Sequence, residues 1–92
     1  MEFQVSGTQQ ELYTKLKEKL SGFVAAGKLP YVKNLDYKDA AHSVSATGSG
    51  FKVEIQCFDG RVAVAMELNL VLRALKSQIE DQVKKAVTKI YG

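Results

Sequence analysis

The chain has no tryptophan, one proline, one histidine and one cysteine in 92 residues. The shortage of cysteine and histidine removes whole classes of function. Cys57 alone cannot close an internal disulfide, and one thiol with one imidazole is too few ligands for a protein zinc site, so neither metal nor cofactor is expected. No apolar run approaches the ~20 residues that a membrane-spanning helix needs. Residues 1–10, MEFQVSGTQQ, also lack the basic segment and apolar core of an export signal. A cytoplasmic location is therefore expected, where an unpaired cysteine is ordinary. Neither sign of charge dominates, because 13 Lys and Arg against 10 Asp and Glu leave +3, which permits an anionic partner without requiring one. The cations of the last third, Arg73, Lys76, Lys84, Lys85 and Lys89, are interrupted by Glu80 and Asp81 and have no aromatic among them, so no nucleic-acid partner is expected.

Ninety-two residues suffice for one domain, residues 1–92, around one modest core. With 46% apolar and 25% charged residues the composition is that of an ordinary folded chain, not a disordered one. Residues 51–70, FKVEIQCFDGRVAVAMELNL, organise it. Asp59-Gly60 between two alternating runs is a strong hairpin signal, and a type I′ turn is expected there. Folding about that dipeptide sets Cys57 opposite Val62, Ile55 opposite Val64, Val53 opposite Met66 and Phe51 opposite Leu68, all apolar. The other face then pairs Phe58 with Arg61, Gln56 with Ala63, Glu54 with Ala65 and Lys52 with Glu67. A slip of one residue would bury Lys52 and Glu54, which pins the register.

Before this hairpin, residues 2–6 alternate as a short edge strand. Thr8 and Glu11 have capping-box spacing, and Leu12, Leu16, Leu20, Phe23 and Val24 mark one face of a helix that ends near Gly27 and Pro30. Gly22 interrupts that helix without an evident reason. Short strands follow at residues 35–38 and 43–47. If Asp39-Ala40 is a two-residue loop, Leu35 meets Val44 and Tyr37 meets His42. If Ser49-Gly50 is another, Val44 meets Ile55, Ala46 meets Val53 and His42 meets Cys57. Gly48-Ser49-Gly50 joins two strands, so it lacks the helix N-terminus on which phosphate-binding loops depend. After Asn69, a plausible N-cap, Leu72, Leu75, Ile79, Val83, Ala86 and Ile90 form one stripe of a long final helix.

The expected architecture is α+β in the order β-α-β-β-β-β-α, a mainly antiparallel five-stranded sheet with two helices packed on one face. The opposite face carries Lys52, Glu54, Gln56, Glu67, Ser43 and Ser45 as a solvated surface. Phe58, Ala63 and Ala65 are its apolar residues, and they are the candidate face for self-association or for another protein. Tyr37, His42 and Cys57 project to one end of the covered face. A Cys-His pair can activate a thiolate, but inward-facing residues with no third group or oxyanion donor read as packed core, so no enzyme is expected.

The segment VAMELNLVLRALKSQIEDQVKKAV resembles the C-terminal part of the polyhydroxyalkanoic acid system family, small bacterial proteins associated with polyester storage granules. The likeness rests on the alternation of Val62, Val64, Met66 and Leu68, the corner at Leu70 and Leu72, and the helical Leu75, Ile79 and Glu80. It continues back through TGSGFKVEIQCFDGRVAV and covers about residues 37–87. Asn69 stands where the family has Gly, and Tyr37-Lys38-Asp39 where it has a Trp-x-Gly-Asp-like turn. The resemblance implies a non-enzymatic accessory role at granules or in their regulation, with a granule surface, another protein or a second copy as partner. The alternative is a shortened helix-grip protein, a small-ligand binder or degenerate enzyme, with Tyr37, His42 and Cys57 lining an apolar pocket beneath the long helix.

Overall fold

A computed structural model describes residues 1–91. The elements are β1 (Glu2–Gln4), α1 (Gln9–Ala25), β2 (Val32–Lys38), β3 (Ser43–Gly48), β4 (Phe51–Phe58), β5 (Arg61–Leu68), α2 (Leu70–Arg73) and α3 (Lys76–Tyr91). The five strands form one sheet in the order β1-β5-β4-β3-β2, every neighbouring pair antiparallel. The order leaves β1 and β2 as the edges.

The central hairpin has the expected register throughout, from Cys57 opposite Val62 to Lys52 opposite Glu67. Its turn differs. Only Gly60 has a positive φ, 70°, so the turn is not type I′, which needs both central residues there; a positive φ at the second position alone is the type II pattern. The Asp59 side chain is otherwise engaged, since its Oδ1 accepts the first helical amide of α1, from Gln9, at 2.7 Å. Around the same turn Gly60 N–H donates to the Gly7 carbonyl at 2.9 Å, and Val5 N–H donates to the Gly60 carbonyl at 3.1 Å. The start of α1 also carries its capping box, with Thr8 Oγ1 accepting from Glu11 N–H and Glu11 Oε1 accepting from Thr8 N–H.

The strand at 35–38 begins earlier than expected, at Val32, and its register against β3 is shifted by two. Tyr37 lies opposite Val44 and Leu35 opposite Ala46. The cause is the connection: residues 39–41 wind into a 3₁₀ turn, and His42 caps it in the left-handed region at φ 52°, so the loop takes four residues instead of two. A shift of two keeps every side chain on its face, so Leu35 and Tyr37 still point inward. The β3–β4 register follows expectation, with Val44 opposite Ile55 and Ala46 opposite Val53. The final helix is divided: Asn69 caps α2 by accepting from Leu72 N–H at 2.9 Å, and α2 stops at Ala74 before α3 begins.

Leu12, Tyr13, Leu16 and Leu20 of α1 and Val87 and Ile90 of α3 meet Val44, Cys57, Val62 and Val64 of the sheet in one core. Both long helices therefore cover the same face. Their cover is uneven. Tethers at Gln9 to Asp59, Tyr13 to Asp39 and Ser21 to Tyr37 carry α1 across the sheet near the Asp59 turn, from β5 to β2. Toward the Gly48–Gly50 turn the sheet is left to α2 and the first turns of α3, and Phe51, Val53, Met66 and Leu68 are only half-buried. In the helix stripe the same gradient appears, with Leu75 exposed, Ile79 and Val83 half-buried and Val87 and Ile90 buried.

On the uncovered face Ser43 and Ser45 are buried, contrary to the solvated surface expected of them. They are small side chains on an inner strand, flanked across the ladder by Lys38 and Gln56 and by Asp36 and Glu54. Ser45 Oγ has no hydrogen-bond partner among the described residues, and nothing in the structure explains it.

Gly22 lies exposed in α1 with open space where a Cβ would stand. The backbone entropy of glycine is then uncompensated, and Gly22→Ala should raise stability by up to ~1 kcal/mol, read as a higher urea midpoint with an unchanged slope.

Candidate functional site

The three residues expected to share a pocket have different surroundings. Cys57 is fully buried, its Sγ 3.8 Å from the hydroxyl of Tyr91, and that hydroxyl donates to the Leu12 carbonyl at 2.8 Å. Burial pushes the Cys57 thiol up, and the Tyr91 contact offsets this only in part. Burial likewise raises Tyr91. A protonated thiol sealed beneath a tyrosine is not poised as a nucleophile. The backbone of His42 does lie beside Cys57, whose N–H donates to its carbonyl at 2.9 Å. The half-buried imidazole packs instead against α1, in an edge-on contact with Tyr13 and a 3.0 Å bond between Nε2 and Gln10 Oε1. Tyr37 is half-buried, near Ser21 through its hydroxyl and with the Lys17 ammonium 5.6 Å from its ring centre.

What gathers around Tyr37 and His42 is a polar cluster that sequence reasoning did not single out. Tyr13, itself buried, donates its hydroxyl to Asp39 Oδ1, and Lys17 Nζ reaches the same oxygen at 3.0 Å. Burial, then the bond to Asp39, raises Tyr13. The Tyr13 bond, followed by the Lys17 bond, holds Asp39 below the usual carboxylate range. Two helical residues four apart thus grip the β2–β3 turn, and a depression of about 370 Å³ lies beside them. A larger surface groove, about 670 Å³, lies between β1 and the end of α3, lined by Phe3, Gln4, Val5, Val87, Thr88 and Tyr91. Neither is lined by Tyr37, His42 or Cys57. Among the described residues no three His, Cys, Asp or Glu come together as a metal site would require, and no helix is long and apolar enough to cross a membrane.

On the open sheet face Phe58 is half-buried, Ala63 half-buried and Ala65 exposed. The three lie on adjacent strands, but the Arg61 guanidinium sits 4.3 Å from the Phe58 ring centre and reaches Glu2 at 3.3 Å. A cation therefore covers the largest apolar group of that face.

Val24, expected on the inward stripe of α1, is exposed near that helix's end, and the other large exposed apolar side chains belong to the thinly covered end of the sheet. Leu70 is 81% exposed, Val71 75% and Tyr31 62%, with Leu75 exposed beyond them. Contacts of neighbouring residues bring the segments that carry them to the same end of the sheet. Asn69 N–H donates to the Gly50 carbonyl at 2.8 Å, so α2 leaves the sheet directly over the β3–β4 turn. Phe51, next in that turn, lies opposite Leu68 and edge-on to Tyr31 at 6.3 Å. Gly48 lets the chain at Tyr31 approach, since a Cβ there would come within 2.4 Å of the Tyr31 carbonyl. Leu70 and Val71 carried no signal of their own, because an apolar pair at a helix start reads as core.

Comparison with family models, with curated proteins and with solved structures gives no match.

Two outcomes follow for the buried groups. In native protein at neutral pH, Cys57 should react with a disulfide reagent on the order of 100-fold more slowly than in denaturant, because reaction waits for the core to open. Asp39 binds its proton less readily folded than unfolded, so the stability it contributes is complete above the ordinary carboxylate range and is lost as pH falls through its depressed folded value. Asp39→Asn, which keeps an acceptor for Tyr13 but no charge for Lys17, should show a shallower fall in urea midpoint below about pH 4 than the unaltered chain.

Proposed function

We propose that the protein is a non-enzymatic binding or accessory protein that acts through a surface, and that its place is at polyhydroxyalkanoate storage granules or in their regulation. The exposed cluster of Leu70, Val71, Leu75 and Tyr31 carries the first half of this reading. Leaving such side chains in water forfeits about 25 cal/mol for each Å² of apolar area that contact would bury, and large apolar side chains exposed at one end of a molecule are what a partner surface uses. The resemblance around residues 37–87 supplies the second half. In this reading the bacterial cytoplasm is the site of action, and the end of the sheet replaces Phe58, Ala63 and Ala65 as the principal contact, because Arg61 already covers Phe58. The helix-grip alternative draws no support from the depressions described above, neither of which Tyr37, His42 or Cys57 lines.

Sedimentation of the purified chain with washed polyester granules tests the proposal. The chain should pellet with granules, and Leu70→Asp with Val71→Asp should lower the bound fraction about 10-fold, the equivalent of ~1.4 kcal/mol of lost burial. Phe58→Asp should change it little. A chain that stays in the supernatant, or one whose pelleting ignores the Leu70 and Val71 changes, would remove this function.

A further inference from the structure

The chemistry around the exposed cluster indicates what covers it. Residues 31–34, 47–53 and 66–78 build this end of the molecule, and they hold Lys33, Lys52, Arg73 and Lys76 against one carboxylate, Glu67. The chain's whole net charge of +3 is accounted for here. Folding does this, because Lys33 and Arg73 are 40 positions apart in the sequence. Val32 lies opposite Gly48, which puts Lys33 beside the β3–β4 turn, and Arg73 Nε donates to the Leu68 carbonyl at 3.1 Å, which holds its side chain at the end of β5. Glu80 and Asp81 lie one turn and more beyond Lys76, about 6 Å or farther along α3 and away from this end.

We infer that this end of the protein docks on an anionic lipid surface, with Leu70, Val71 and Tyr31 entering the interface and Lys33, Arg73 and Lys76 meeting the headgroups. The inference rests on the reading of the exposed cluster as the binding surface and adds what it binds. Aliphatic side chains at a tip, an aromatic beside them and a cationic rim form the combination that suits the boundary between acyl chains and headgroups. A second copy suits it less, since pairing this end with itself sets cations against cations. Nucleic acid would use the cations but not the aliphatics, and among the described residues Tyr31 is the one well-exposed ring available for a base to stack on. Lys52 and Glu67 lie opposite each other on the uncovered sheet face and offset one another, so the excess at this end comes from Lys33, Arg73 and Lys76.

The test is co-sedimentation of the full chain with large vesicles, either of phosphatidylglycerol and phosphatidylethanolamine or of phosphatidylcholine alone. Binding to the anionic vesicles should exceed that to the neutral ones by about 10-fold and weaken several-fold when salt rises from about 50 to 300 mM. Leu70→Asp with Val71→Asp, and separately Arg73→Glu with Lys76→Glu, should each lower it about 10-fold with circular dichroism unchanged. Lys84→Glu with Lys85→Glu makes the same change in net charge farther along α3 and should leave most binding intact. No pelleting with anionic vesicles, or equal loss from the Lys84 and Lys85 changes, would overturn the inference. So would an oligonucleotide complex, or a dimer abolished by the Leu70 and Val71 changes, in a chain that ignores vesicles. Granule association that depends on Leu70 and Val71 while vesicles are ignored would leave the proposed function standing and remove only the lipid. Vesicle binding without granule association would do the reverse.

Discussion

The contact on which the arrangement depends is the one between the turn of the central hairpin and the beginning of α1. Asp59 gives its carboxylate to the Gln9 amide, and Gly60 exchanges backbone hydrogen bonds with the segment leading into the helix. A carboxylate at a helix N-terminus satisfies an amide that has no partner within the helix and meets the positive end of its dipole. The geometric consequence outweighs the energetic one. With its first residue fixed at one end of the sheet, and with Tyr13 and Ser21 tethered to the β2–β3 side, α1 must cross the strands near that end. A crossing helix protects the half of the sheet beneath it and leaves the other half to whatever follows β5.

That division explains why Cys57 is buried while Leu70 and Val71 are exposed. Cys57 lies in the protected half, where α1 and the end of α3 meet, and Tyr91 closes over it. His42 belongs to the same end and closes the 3₁₀ turn, with its ring engaged by Tyr13 and Gln10 of α1. Leu70 and Val71 follow the hairpin at the opposite end, where no helix lies across them. Residue type alone suggests the contrary assignment. The path of α1 decides it.

The strand pairing was legible because alternation in β4 and β5 leaves one register that keeps Lys52 and Glu54 out of the core, and nothing in the tertiary structure competes with that constraint. The capping box at Thr8 and the cap at Asn69 were legible for a similar reason, as both are closed by residues three positions away. The β2–β3 register was not, because Asp39-Ala40-Ala41 has no glycine to announce its turn, and the extra loop residues depend on Tyr13 and Lys17 reaching Asp39 from α1. The break between α2 and α3 escaped notice because Ala74 and Leu75 are good helix formers. Neither the inward-facing stripe nor the sum of charges could disclose the exposed end. A stripe states which face a helix would bury, not whether a partner is long enough to bury it, and Lys33 joins Arg73 only once β2 has paired with β3.

The junction at Asn69 fixes where α2 leaves the sheet, and with it the thin cover at this end. Its side chain caps Leu72, its amide holds the Gly50 carbonyl, and its Nδ2 is so close to Gly50 that an added Cβ there would lie 2.2 Å away. Gly50 also has φ 81°, which disfavours any larger residue. These constraints fix the direction in which α2 departs, over the turn and away from the center of the sheet. Held as it is, α2 presents Leu70 and Val71 outward beside Arg73 and Lys76, and the core accepts half-buried strands at that end as the cost of keeping a formed apolar surface on the outside.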